Sequence, residues 1–224
     1  MNIESLFVEN PRLEWHNNMP FVLAKLDKGY AHFLADLALE YEPHILTLPV
    51  HPKWARLMEQ NPTGSRYSSY NTFLLHSSYM PLFGALKKTY DFYLEALQKS
   101  RRPTYLQSWL NIHRKNQKLS RHQHQAPVIG SFLARAEGST TRYGLSKEIS
   151  TDDQIFSNED GVLLMTSGPG HYHEVSTWQN QDKPRVSYAF DIVDAVAWRS
   201  DKVLIPFDSL SDSTSQIQVS CDMI

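Results

Sequence analysis

After Arg102-Pro103 the chain becomes a succession of short β-rich runs: TYLQSWLNIH, APVIGSFLARA, GVLLMTS, PRVSYAFDIV and KVLIPF. Polar or Gly/Pro-bearing turns part them, and few helical stripes interrupt them. Several short strands at this spacing imply an antiparallel β-sandwich or barrel. The first half reads differently. In KLDKGYAHFLADLALEYE, Leu26, Tyr30, Phe33, Leu34, Leu37 and Tyr41 recur at three- and four-residue steps, as one helix face does. In SYMPLFGALKKTYDFYLEALQKS the stripe is Met80, Phe83, Leu86, Tyr90, Tyr93, Leu94 and Leu97, with Pro81 tolerated in the first turn. Residues 43 to 72 carry Pro43, Pro49, Pro52, Pro62 and Gly64 and read as loop with short strands, WARLMEQ forming a brief helix.

The expected class is mainly β with N-terminal helices (α+β). Residues 1–102 form a helical or mixed segment packed on a β-core of 103–206. Residues 207–224, ending SDSTSQIQVSCDMI, form a loosely held tail.

Composition narrows the function. Net charge is -2 with Lys and Arg scattered, so no nucleic-acid footprint is expected. No apolar run approaches membrane-spanning length, and MNIESLFVENPRLEW lacks the basic-then-apolar order of a signal peptide. With Cys221 the only cysteine, no disulfide framework or thiolate metal site is available, which suits the cytoplasm. A metal site would use His, Asp or Glu.

LSRHQHQAPVIG places His122 and His124 two apart, and residues i and i+2 of a strand project on one face. Neutral imidazole suits Fe, Zn, Cu and Ni. A second His-x-His, His171 and His173, follows the strand GVLLMTS and the turn Gly168-Pro169-Gly170. In RVSYAFDIV, alternation puts Arg185, Ser187, Ala189 and Asp191 on one face and Val186, Tyr188, Phe190 and Ile192 on the other. An inward Arg beside a hydroxyl is a receptor for a carboxylate. Alternation alone also allows the Arg face to be solvated.

The order His-x-His, apolar strand, distal His and Arg-x-Ser resembles the iron(II)- and 2-oxoglutarate-dependent dioxygenases. More narrowly, SWLNIHRKNQKLSRHQHQAPVIGSFLARA and the preceding YNTFLLHSSYMPLFGALKKTYDFYLEAL are similar to a branch of oxygenases with a Trp-x-Asn strand before His-x-His. The likeness covers roughly residues 70 to 195. It implies a double-stranded β-helix (jelly roll, cupin-like), iron(II), 2-oxoglutarate, and hydroxylation with release of succinate and CO2. It implies His122, His124 and His173 as metal ligands and Arg185 and Ser187 as the grip on the far carboxylate, with Asn111 touching the cosubstrate. The usual proximal motif is His-x-Asp or His-x-Glu, so this chain departs at His124. Either His124 replaces the carboxylate, or His124 is the proximal ligand and Ala126 marks an open position as in the related halogenases. His171 reads as a turn residue or as a support behind the ligands, and Glu174 as facing away.

The polar linker 137 to 154 reads as a long loop, with Arg142 and Tyr143 as substrate contacts. The expected partner is a small-molecule or peptide substrate, with a homodimer left open. Two rival readings stand beside this one: a cupin-type three-histidine metalloenzyme without 2-oxoglutarate, and a β-barrel binding module that is no enzyme.

Overall fold

The computed structural model describes residues 2–194 and 202–208; Cys221 and the expected tail beyond Asp208 lie outside them. The chain opens with a hairpin, β1 (Phe7–His16) and β2 (Met19–Leu26). Its turn, Asn17-Asn18, has φ of 50° and 62°. A two-residue hairpin turn of the primed type requires positive φ at both positions, and asparagine tolerates it better than other non-glycine residues.

Helix α1 (Lys28–Thr47) follows, capped by the Asp27 side chain, which accepts from the Tyr30 amide at 2.7 Å. The helix runs through Pro43, where the sequence reading ended it. Proline removes one backbone hydrogen bond, but packing beyond it holds the last turn. Ile45 is fully buried, and Arg114 grips Glu42 with two bonds of 2.7 Å. Between residues 48 and 79 the described chain forms 3-10 turns, one over Pro52–Leu57, rather than the short strands expected there. Helix α2 (Met80–Ala96) has Pro81 in its first turn. Its buried stripe includes Leu86, Tyr90, Tyr93 and Leu94 as expected. Ala85 and Thr89 also face inward, while Met80 is exposed.

The remaining strands are β3 (Thr104–His113), β4 (Leu119–Gln123), β5 (Val128–Arg135), β6 (Thr140–Gly144), β7 (Gln154–Ser157), β8 (Val162–Ser167), β9 (Tyr172–Val175), β10 (Arg185–Asp194) and β11 (Ile205–Asp208). They make a seven-stranded sheet in the order β1-β2-β8-β5-β10-β3-β11 and a four-stranded sheet in the order β4-β9-β6-β7, all pairs antiparallel. This is the expected jelly-roll class. Three details differ from the sequence reading. The N-terminal segment contributes two strands to the large sheet, with β2 pairing β8. The linker 137 to 154 contains β6. The tail's first two positions, Phe207 and Asp208, end β11 and are buried.

The main core lies between the large sheet and the helices. Strand β10 sends Val186, Tyr188, Phe190 and Ile192 into it beside Leu34, Tyr79 and Phe132. The Tyr188 hydroxyl donates to the Leu34 carbonyl of α1. The alternate residues of β10 turn to the other side, where a cavity of about 780 Å³ opens between the sheets. No helix among the described residues is long and apolar enough to cross a membrane.

Candidate metal and anion site

The three histidines converge because of strand register. His122 on β4 and His173 on β9 are direct cross-strand partners, and such pairs have neighbouring side chains on one face. His124 stands just past the end of β4, two residues on. The ring centroids are 4.3 Å apart for His122 and His173, 5.0 Å for His122 and His124, and 5.2 Å for His124 and His173. One nitrogen from each ring can be chosen so that all three lie within 4.8 Å of one another.

Hydrogen bonds set the protons. Nδ1 of His122 lies 2.8 Å from the Ser120 carbonyl, which only accepts, so Nδ1 carries the hydrogen. Nδ1 of His124 lies 2.7 Å from Oδ1 of the buried Asp191 and donates to that carboxylate. Both Nε2 atoms are then left with lone pairs, and they face each other 3.1 Å apart. Two lone pairs at that distance repel unless a proton or cation lies between them. Burial, and then the neighbouring histidines, push His122 down to about 4 and His173 well below the ordinary histidine value. Neutral rings are what a metal needs, so the donor set fits a divalent cation. The pairing of His124 with Asp191 is the usual way an outer carboxylate fixes a ligand's tautomer.

The second feature is Arg185, 2% exposed on β10. Its Nη1 donates to Ser187 Oγ at 2.9 Å and its Nε to Ser139 Oγ at 3.2 Å. No carboxylate among the described residues pairs with it. Burial pulls its pKa down to about 10, which still leaves it charged at pH 7. A buried guanidinium met only by hydroxyls is costly without an anion. It lines the same cavity as the three histidines.

The other anticipated residues divide. Asn111 lines the cavity, its Oδ1 accepting from Asn61 Nδ2 at 2.7 Å. Gly64 is packed against that pair, where a Cβ would come within 2.6 Å of Asn111 Oδ1. Tyr143 is a buried wall of the cavity, its ring 5.4 Å from His173, and burial pushes its phenol up. Arg142 is turned to the opposite face of β6, 3.5 Å from Glu174, and does not line the cavity. His171 is held at Ser167 Oγ, 3.1 Å away, outside the triad. The sequence reading assigned no role to Asp191, Ser139, Asn61, Trp54, Tyr67 or Lys202. Alternation from Arg185 already placed Asp191 on the cavity face. The others carry no local signal.

No family model and no curated protein matches the sequence. Among solved structures, a Pseudomonas putida prolyl-4-hydroxylase superposes over 86% of this chain and 92% of its own, at 10% identity and a TM-score of 0.52. This chain has that enzyme's fold. A 2OG-Fe(II) oxygenase family oxidoreductase from Burkholderia pseudomallei aligns over 53% of this chain at 16% identity and a TM-score of 0.43. The chain spans 59% of that structure's length. The non-heme alpha ketoglutarate dependent epimerase SnoN from nogalamycin biosynthesis aligns over 78% of this chain and 76% of its own, at 12% identity and a TM-score of 0.48.

Proposed function

We propose that the protein is an iron(II)- and 2-oxoglutarate-dependent dioxygenase that hydroxylates a small molecule or peptide. The fold likeness to a prolyl-4-hydroxylase supports this reading. The observation that carries it is Arg185, a buried guanidinium without an acid partner among the described residues, in one cavity with three converging histidines.

His122, His124 and His173 would hold the iron. With 2-oxoglutarate and oxygen, iron at such a site supplies the oxidising chemistry, and the cosubstrate leaves as succinate and CO2. The chain's own residues supply the rest. Arg185 and Ser187 take the far carboxylate of 2-oxoglutarate by charge-assisted hydrogen bonds, which fixes the cosubstrate's direction. Asp191 keeps the proton of His124 on Nδ1 and its lone pair on Nε2. Trp109 lies nearly parallel to the His124 ring, centroids 5.9 Å apart, and the Tyr143 ring lies 5.4 Å from that of His173, so the two cover one side of the ligand rings. A cytoplasmic setting, reducing enough to keep iron ferrous, suits the site.

A three-histidine enzyme without an oxo acid leaves Arg185 with nothing to do, so we set that reading second. The test loads the purified protein anaerobically with Fe(II). It then follows iron stoichiometry and succinate formation across amino acids, peptides and small metabolites. One iron per chain with 2-oxoglutarate turnover is expected. Iron bound without any binding or consumption of 2-oxoglutarate hands the protein to the three-histidine reading. Absence of iron leaves a binding module.

A further inference from the structure

We propose that Lys202, Tyr67 and Trp54 form the primary-substrate subsite, and that it takes an organic acid whose anionic group adjoins an aromatic ring. The inference rests on the dioxygenase reading for its role in turnover, but the subsite itself is argued from the cavity wall.

Beside the histidines and the Arg185 grip, one wall of the cavity is aromatic. It is a ladder of rings: Trp54 and Tyr67 meet edge to face at 5.8 Å, and Tyr67 and Trp109 at 5.3 Å. Trp109 in turn covers the His124 ring. The wall therefore leads up to a metal ligand, and a flat apolar body lying along it is carried toward the reacting centre. Aromatic pairs gain from such edge and offset contacts beyond simple burial.

The cation on this wall is Lys202. Its side chain is 17% exposed, and its ammonium lies 5.1 Å over the Tyr67 ring and 3.9 Å from Asp191 Oδ2. Neither contact is a hydrogen bond, and no acceptor among the described residues lies within hydrogen-bond reach of it. Asp191 is already committed to His124 at 2.7 Å. Among the described residues the Lys202 ammonium thus keeps donors to offer, in a cavity whose described lining includes Arg185 and Lys202 as cations and only Asp191 as a carboxylate. When a divalent metal and dianionic 2-oxoglutarate offset each other, one positive charge remains, and it favours an anion. Size agrees: ligand pockets run from about 300 to 1,000 Å³, and a five-carbon diacid fills only part of 780 Å³.

The test uses the Fe(II) protein, oxygen-free and saturated with 2-oxoglutarate, titrated calorimetrically with four probes. Phenylacetate is the ring with an anion, 2-phenylethanol the neutral ring, 2-phenylethylamine the cationic ring, and hexanoate an acid without a ring. Phenylacetate should bind at least about tenfold tighter than the neutral and cationic rings, as a hydrogen bond to a charged group warrants, and tighter than hexanoate, which lacks the ring contacts. Lys202→Met should remove that advantage while 2-phenylethanol binds as before, Lys202→Arg should restore it, and Trp54→Leu should weaken all three ring probes. The proposal is overturned if phenylacetate binds no tighter than 2-phenylethanol, or if it competes with 2-oxoglutarate and so sits at Arg185. It is also overturned if Lys202→Met lowers iron content instead of acid affinity, which would make Lys202 a support for Asp191. Failure of the dioxygenase reading looks different. The wild type would then bind no iron or no 2-oxoglutarate, while Lys202-dependent selection of phenylacetate, measured without them, would still hold the subsite.

Discussion

The two sheets are built by different means. The large sheet has ten-residue strands at β3 and β10, and one face of β10 is sealed under α1 and α2. The small sheet has strands of four or five residues. Its inner face carries His122, His173 and Tyr143, and its outer face a polar set in which Arg121 pairs with Asp153 at 3.0 Å and Arg142 lies 3.5 Å from Glu174. The apolar cluster that ties Tyr143 to the large sheet is small: Met19, Phe21, Leu23, Tyr143 and Leu164. Two of the three candidate metal ligands lie on the thin sheet, and the anion grip lies on the thick one. The two halves of the site should therefore fail separately.

The largest effect is expected on the thin sheet. His173→Ala removes one of three ligands, and the remaining two cannot hold the geometry of a mononuclear site. Tight iron binding should be abolished while the circular dichroism spectrum stays that of the wild type, because the main core does not include His173. Stoichiometric iron in this variant would reject the ligand set.

Arg185→Leu strikes the thick sheet and should do the reverse. Iron content should persist, while the 2-oxoglutarate concentration needed for half-saturation rises by roughly 30-fold or more, since breaking a buried charge pair costs about 2–5 kcal/mol. The apoprotein should also become more heat-stable, because a buried guanidinium without a counter-ion is replaced by an apolar side chain. A variant that is less stable and binds 2-oxoglutarate normally would show Arg185 to be structural.

The same contrast decides how much the sequence disclosed. Strand β10 was legible because both its faces are specified, one by core residues and one by Arg185, Ser187 and Asp191 at every second position. The runs that became β3, β5 and β8 are apolar enough to announce themselves. The small sheet was not, because LSRHQ, TTRYG, QIFS and YHEV are short and their inner positions mix His122, Thr141, Tyr143 and His173 with apolar Phe156 and Val175. The β1–β2 hairpin was hidden by Pro11 and Pro20, though Asn17-Asn18 marks its turn. His122 and His173 could be joined in advance only through the family resemblance, since each His-x-His by itself leaves open which imidazole is the ligand. Lys202, Tyr67 and Trp54 come from the turns after α1 and the stretch beyond β10, so only the fold brings them together. Arg142 and Tyr143, expected as joint contacts, are adjacent on β6 and face opposite ways.

Asp191 joins the two sheets, since it stands on β10 and holds His124. Asp191→Asn keeps an oxygen that can accept from Nδ1 but removes the charge, and losing such an outer partner typically costs 10- to 100-fold in metal affinity. That range is the expectation for iron binding measured by chelator competition. Adding the change to a His124→Ala background should have little further effect if Asp191 acts through His124. Full additivity would break the link between the sheets.

The smallest effect at neutral pH, and the one that isolates the thick sheet, concerns His113. This residue is fully buried, its two ring nitrogens have no partner among the described residues, and it lies opposite Arg185 in the β3–β10 register. Burial, and secondarily the Arg185 charge, push its pKa down to about 3 from the ordinary 6.5. The unfolded chain therefore takes up a proton as pH falls through 6.5, while the folded chain does not until about 3. Stability should decline across that window with a slope of up to about 1.4 kcal/mol per pH unit from this residue. His122 and His173 add to the same acid limb, so the informative quantity is the difference between wild type and His113→Leu. Urea midpoints taken from pH 7 to pH 4 should converge toward the variant's favour as pH falls, by the loss of one proton's worth of slope. Parallel curves would mean that His113 is protonated or solvated in the folded state. Repeating the comparison in Arg185→Leu should narrow the window slightly, because one of the two causes holding the ring neutral has been removed.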